Sequence, residues 1–253
     1  MLLFLCSATD LSALWAYDRL RARGVPGLEL VSSELIACAL RWEHRLWGDA
    51  ACTTITLTDG RTIRSGEVSG VLNRISWIGD DQLARALPAD RTYATQELVA
   101  FYLSWLNAFR GPIINPPTPQ GLCGRFRDSA EWTMLAWRAG LPLQPHRCVA
   151  HGSGLNGGDG TPPDEPAGTD PPRTRTVTVI GSRVVGVGIP DEVAEACLRL
   201  ACDAQTPLLG VDFGVAPDGS WTFTGASPVP DLTLGGAELI DALLAALHPE
   251  ERA

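Results

Sequence analysis

Lysine is absent from the 253 residues, and all 20 basic side chains are arginine. Chemistry that depends on a lysine amine, from Schiff bases to the lysine of a P-loop, is therefore excluded. Positive charge is scarce overall. Against 29 acidic residues it leaves a formal charge of -9, which repels phosphate backbones and anionic lipid and argues against nucleic-acid and membrane partners. No apolar run approaches the roughly 18 residues of a membrane span. Residues 1–6 are apolar but carry no basic flank and stop before Asp10, so they read as a first strand rather than a signal segment. Paired cysteines are missing too. The seven cysteines at 6, 38, 52, 123, 148, 197 and 202 contain no C-x-x-C, which predicts reduced thiols in a cytoplasmic protein, with Cys6, Cys38 and Cys197 buried as small apolar side chains. Cys197 and Cys202, five apart on a helix, face different ways and read as packing rather than as a dithiol.

What is present is globular. Hydrophobic residues make up 45% and charged residues 19%, enough apolar surface for a real core and too little charge for a disordered chain. After the first strand, Asp10 caps a helix that runs to about Arg23 and stops at Gly24, and a strand follows over 28–31, giving a βαβ-like start. The stripe Leu35, Cys38, Trp42 and Leu46 predicts a helix over 34–47. Alternation over 53–57, the turn Asp59-Gly60 and a return over 61–64 predict a hairpin. A strand over 68–75, a helix over 95–109 and the apolar pair Ile113-Ile114 complete an α/β lobe over residues 1–115. Residues 116–150 read as a helical entry segment containing a helix over 128–139.

Residues 151–173 are dominated by Gly, Pro, Asp and Thr and read as a flexible loop. Order resumes over 174–253. There a hairpin joins 176–180 to 183–185 through Gly181-Ser182, a helix opens at Pro190-Asp191 and reaches Ala204, strands lie over 208–213 and 221–223, and a helix closes the chain over 236–247.

Few local patterns carry chemistry. His146, Cys148 and His151 are spaced for a metal site but lack a fourth ligand elsewhere. The glycine-rich run 152–160 has no P-loop lysine. With four histidines at 44, 146, 151 and 248 and no G-x-S-x-G, a serine or cysteine nucleophile finds little support. Eight tryptophans, among them Trp42, Trp47, Trp77, Trp105, Trp132 and Trp137, are too many for one core and suit a protein interface where exposed.

Three passages taken in order resemble the ATP-grasp superfamily, in the branch of the ribosomal-protein S6 glutamate ligases and peptide-modifying ligases. The first comprises Gly70-Val71-Leu72-Asn73-Arg74-Ile75, Tyr93-Ala94-Thr95-Gln96-Glu97 and Pro112-Ile113-Ile114-Asn115-Pro116-Pro117. The second is Ala139-Gly140-Leu141-Pro142-Leu143-Gln144-Pro145. The third runs from the hairpin around Gly181 through Leu209-Gly210-Val211-Asp212-Phe213 to Ser227-Pro228-Val229-Pro230-Asp231. The resemblance implies an α/β, ATP-grasp-like fold with an N-terminal α/β lobe and a shortened C-terminal grasp domain.

It also implies requirements that these residues meet poorly. Such ligases activate a carboxylate with ATP, using lysines on the phosphates and carboxylate or amide oxygens on Mg²⁺. Here the nucleotide-clamping subdomain is replaced by the loop 151–173. The metal-binding Glu and Asn positions correspond to Gly225 and Ser227, so that Asp212 alone remains as a metal ligand. Arg125, Arg127, Arg173 and Arg175 are the basic side chains available as nucleotide-binding stand-ins for lysine. The expectation is a degenerate, non-catalytic partner or substrate-recognition subunit for a separate peptide- or protein-modifying enzyme, needing neither ATP nor Mg²⁺. Two rivals stand beside it: an active ATP- and Mg²⁺-dependent carboxylate-amine ligase that uses arginine for lysine, and a self-assembling structural protein; besides a protein or peptide partner, a homodimer is expected as a further form of association.

Overall fold

A computed structural model describes residues 1–48, 50–78, 83, 87–143 and 173–248. Strand β1 (Leu2–Cys6) is five apolar residues, every one buried, as a strand inside a parallel sheet must be when both of its faces are covered. It pairs in parallel with β2 (Leu28–Ser32) and, on its other side, with β6 (Gly70–Asn73), which carries the short β7 (Ile113–Ile114). Between β1 and β2, helix α1 (Leu11–Ala22) is capped by the Asp10 carboxylate, which accepts from Ala13 N at 2.9 Å. Gly24, at φ +73°, supplies the left-handed turn that ends it.

Alternation along β1 assigns its residues to two cores. Leu2 and Phe4 join α1 and the C-terminal helix α6 (Gly236–Leu247), whereas Leu3 and Leu5 join helix α3 (Pro88–Asn107) and a small antiparallel sheet. That sheet has the order β3-β4-β5, with β3 at Arg41–Trp47, β4 at Ala50–Thr56 and β5 at Thr62–Arg64.

The helix expected over 34–47 is not formed. Helix α2 ends after Ser33–Ala37, and the rest of the stretch becomes β3. Trp42 and His44 alternate with Glu43 and Arg45, and the inward pair packs on Phe101 of α3 with ring centroids 4.3 and 5.7 Å apart. Partners on β4 and α3 make the two-residue period win over the 3.6-residue one. Cys38, expected to be buried on that helix, instead caps α2 and is exposed. Strand β6 is also shorter than the 68–75 expected, and α3 starts earlier, with Pro88 in its first turn.

Helix α4 (Ser129–Arg138), capped by Asp128, leads towards the second sheet. Its order is β11-β10-β8-β9, antiparallel throughout, with β8 at Arg173–Ile180, β9 at Arg183–Val185, β10 at Leu208–Val215 and β11 at Trp221–Ser227. Helix α4 and helix α5 (Asp191–Asp203) cover one face, burying Val177, Val179, Leu209, Val211 and Phe213. On the other face Ile180 and Leu208 pack with α6 against β1, so this core is shared by both parts of the chain. Among the described residues no helix is long and apolar enough to cross a membrane.

Among the described residues the thiols divide cleanly. Cys6, Cys123 and Cys197 are buried, and Cys38, Cys52 and Cys202 exposed. Burial pushes the Cys6 and Cys197 thiols up to about 12 and Cys123 to about 11, far from thiolate formation near neutrality. Mass-spectrometric mapping after brief alkylation of the native protein at neutral pH should label Cys38, Cys52 and Cys202 while sparing Cys6, Cys123 and Cys197 until denaturant is added. Early labelling of Cys6 or Cys197 would contradict this packing.

Candidate functional site

The carboxyl ends of a parallel sheet, where the chain switches direction across it, are the usual place for a site. Here that crevice lies between β1, which leaves towards β2, and β6 on its opposite side. Arg74 follows β6 directly and is almost fully buried. Its Nε and Nη2 donate to the two carboxylate oxygens of Asp10 at 2.7 and 3.3 Å, and its Nη1 donates to Pro230 O at 3.0 Å. Asp10 thus caps α1 and holds the guanidinium together. Beside it, Ser7 Oγ and Ala8 N donate to the Glu34 carboxylate at 2.7 and 3.0 Å. Burial pushes this carboxyl up, but these hydrogen bonds outweigh it and leave Glu34 below the usual carboxylate range.

A second polar knot lies deeper. Asn73 Nδ2 donates to Asn115 O and Leu122 O at 2.9 and 2.6 Å, and its Oδ1 accepts from Ile75 N at 3.2 Å. Asn115, fully buried at φ +59°, clasps the C-terminal sheet. Its Nδ2 donates to Leu208 O at 2.9 Å and Pro228 O at 2.6 Å, while Oδ1 accepts from Leu208 N at 2.9 Å. The Cys123 thiol donates to Asn73 O at 3.1 Å.

The segment gripped by Arg74 and Asn115 continues onto the open face of the second sheet. Pro230 lies over Gly210, where an added Cβ would meet the proline Cβ at 2.7 Å, so only glycine allows this approach. Two residues along β10, Asp212 stands in a row with Thr176 of β8 and Gly225 of β11. Thr176 Oγ1 donates to Asp212 Oδ1 at 2.6 Å. At position 225 there is open space where a side chain would project. The Ser227 hydroxyl accepts from Val229 N at 3.2 Å and so braces its own turn.

Two lobes joined through a buried seam, a doubly crossed parallel sheet followed by an antiparallel one, and helices on one face of the latter make a recognisable arrangement. No family model and no curated protein matches the sequence. Solved structures do match the fold. Macrocyclase MdnB from Microcystis aeruginosa MRC superposes with a TM-score of 0.70 at 12% identity, covering 98% of this chain and 99% of that one. A RiPP-associated ATP-grasp ligase from Chryseobacterium gregarium, in complex with ADP and a leader and core peptide, gives 0.72 at 13% identity over 98% and 96%. The chain has an ATP-grasp fold. Macrocyclase MdnC, bound with precursor peptide MdnA, agrees at 0.70 and 13% identity over 98% and 100%.

Within this ATP-grasp fold the residues expected to handle nucleotide are not gathered. Arg173 and Arg175 pair with Val215 and Phe213 and share the strand face of Val177 and Val179, opposite to Thr176 and Asp212. Arg175 Nη1 donates to Val187 O at 3.4 Å. Arg125 is ion-paired with Glu131 of α4 at 2.8 Å. Arg127 is buried on the helix-covered side, where its Nη2 donates to Ala204 O at 2.8 Å and its guanidinium lies 5.1 Å over the Trp132 ring. Burial lowers its pKa from the ordinary arginine value.

Asp212 therefore stands opposite a glycine with no basic residue in its own row, and on the same sheet face Arg183 of β9 pairs with Ile180, four residues along β8 from Thr176. Among the described residues no three His, Cys, Asp or Glu side chains are placed to hold a metal, and the donors around Asp212 do not fit a Mg²⁺-bound triphosphate. The His146, Cys148 and His151 set and the run 152–160 lie outside the described residues. In the sequence Asn73, Arg74 and Asn115 stand out only as parts of the motifs that carry the resemblance. Their signal was available in two polar residues closing the apolar run of β6, and in an asparagine ahead of two prolines.

Proposed function

We propose that this ATP-grasp chain is a non-catalytic recognition subunit that binds a peptide or protein for a separate modifying enzyme. The row Thr176–Asp212–Gly225 carries the reading. It keeps one carboxylate, already hydrogen-bonded to a threonine, and presents no second metal ligand beside it. A chain without lysine, whose four candidate arginines sit on the helix-covered face or in structural pairs, has little with which to neutralise a triphosphate. The polar seam of Asn73, Arg74 and Asn115 that fixes one lobe on the other is meanwhile fully built. Peptide as the ligand class follows from the fold neighbours, one bound with a precursor peptide and one with a leader and core peptide.

Isothermal titration with Mg-ATP should give no saturable heat, and the melting temperature should not move. Affinity purification of the tagged chain should bring down a peptide or its modifying enzyme. Micromolar Mg-ATP binding with ADP release would replace this reading by its rival, an active carboxylate-amine ligase with Asp212 on the metal and arginines on the phosphates. Full-length superposition on an ADP-bound ligase favours that rival. It requires Asp212→Ala and Arg175→Ala to abolish turnover while leaving the melting temperature in place.

A further inference from the structure

We infer that the cleft between α1 and α6 docks a peptide through one acidic side chain and the apolar side chain beside it, an assignment that rests on the recognition role proposed above. The cleft holds about 330 Å³ and is lined by Trp15, Arg19, Ala22 and Arg23 of α1 and by Ala237 and Ile240 of α6. Ile240 is buried and forms its floor, continuous with the core that Leu20 and Leu243 build beneath it. The walls are therefore set by packing before any ligand arrives. Trp15 and Arg23 are eight residues apart, about 12 Å along a helix, which matches about four residues of extended peptide.

The charge of the cleft is the reverse of the molecule's, whose net charge is -9. Arg23 is committed across it: the guanidinium pairs with Asp241, and its Nη2 donates to Ala237 O at 3.3 Å. Arg19 is not. Its guanidinium lies 5.6 Å over the Trp15 ring, and among the described residues no carboxylate pairs with it. Asp18 and Glu238, the other carboxylates of these two helices beside the cleft, are exposed and fall on outward faces by the 3.6-residue period. With Arg23 and Asp241 cancelling, one positive charge remains, held on an indole and flanked by Ala22, Ala237 and Ile240. A guanidinium already stacked on an aromatic face loses little freedom when a carboxylate meets it. An inorganic anion would leave the apolar wall bare, and a wholly apolar segment would cover Arg19 without a partner. One carboxylate with an apolar neighbour satisfies both. Arg19 also stands midway between Trp15 and Arg23, so chain extends to both sides of that carboxylate, which makes it a side chain and not a chain terminus. A partner of this kind is drawn to the cleft and repelled by the acidic remainder of the surface.

Fluorescence anisotropy with the full chain tests this. A fluorescein-labelled peptide of alternating leucine and glutamate, amidated at its C terminus, should bind saturably, and its leucine–glutamine counterpart about tenfold more weakly. Arg19→Glu should weaken the acidic peptide by about tenfold and Arg19→Gln by less, whereas Asp241→Asn, which releases Arg23 to the ligand, should tighten it by about threefold. Far-UV circular dichroism and the melting temperature should stay in place for the two Arg19 variants. Equal binding of the glutamate and glutamine peptides overturns the inference, as does an Arg19→Glu chain that binds like wild type. Binding confined to a peptide with a free terminal carboxylate overturns the side-chain assignment. The recognition role fails differently: acid-dependent binding that Arg19→Glu abolishes, in a chain that also turns over Mg-ATP, would keep the cleft and remove the non-catalytic reading. Absence of both activities on these probes would remove the cleft alone.

Discussion

Asn115→Ala should destabilise this protein by about 3–5 kcal/mol. The substitution leaves Leu208 N and Leu208 O buried without these partners and takes one donor from Pro228 O, and an unmade buried hydrogen bond costs about 1–3 kcal/mol per group before relaxation. It also places an alanine at φ +59°, a conformation that asparagine tolerates and alanine does not, for roughly another 1 kcal/mol. At about 2–4 °C per kcal/mol for a chain of this size, the melting temperature should fall by on the order of 10 °C. Asn115→Gly separates the two causes. It relieves the backbone but restores no hydrogen bond, so it should recover only the strain portion. Asn115→Asp is nearly the same shape, yet it turns two donated bonds into oxygens facing oxygens and should be as damaging as alanine. Thermal melts of all three decide the matter, and a loss below 1 kcal/mol for alanine would show that the two lobes are not held at this point.

This clasp also marks where sequence reading stops. Elements bounded by strong local punctuation were legible. The closing helix was expected over 236–247 and is formed as Gly236–Leu247, and the hairpins turning at Asp59-Gly60 and Gly181-Ser182 are in place. The stretch 34–47 misled because its apolar residues satisfy a helical period and an alternating one at once, and only β4 and α3, contributed from elsewhere in the chain, decide between them. Asn115 and Leu208 are 93 residues apart, and Arg74 and Pro230 are 156 apart. No local pattern announces such partners.

For the candidate site, motif order alone ties Asp212, Gly225 and Ser227 to the ligases, while the superposed structures speak to the fold. Arg173 and Arg175, however, share the strand parity of Val177 and Val179 rather than of Thr176. Alternation alone therefore puts them on the helix-covered face, away from Asp212. Proximity in sequence suggested a phosphate-binding group that the pleat of β8 turns away from Asp212.

Arg74→Met should cost about 3–5 kcal/mol, the usual penalty for removing one partner of a buried ion pair. The Asp10 carboxylate would lose two charge-assisted hydrogen bonds, and Pro230 O would keep only the longer bond from Ser12 Oγ at 3.5 Å. Asp10 cannot simply turn to water, because it is tied to Ala13 N as the cap of α1. Arg74→Lys keeps the charge but cannot span both carboxylate oxygens and the carbonyl, so it should regain only part of the loss. Combining Arg74→Met with Asp10→Asn is the sharper experiment. Asparagine caps a helix nearly as well as aspartate and leaves no unpaired charge, so the double variant should cost less than the two single changes summed, by about 1–3 kcal/mol. Denaturant melts measure that coupling. Strict additivity would mean that Arg74 and Asp10 act apart, and the crevice at the ends of β1 and β6 would then present a guanidinium available to a ligand instead of one committed to holding Pro230 over Gly210.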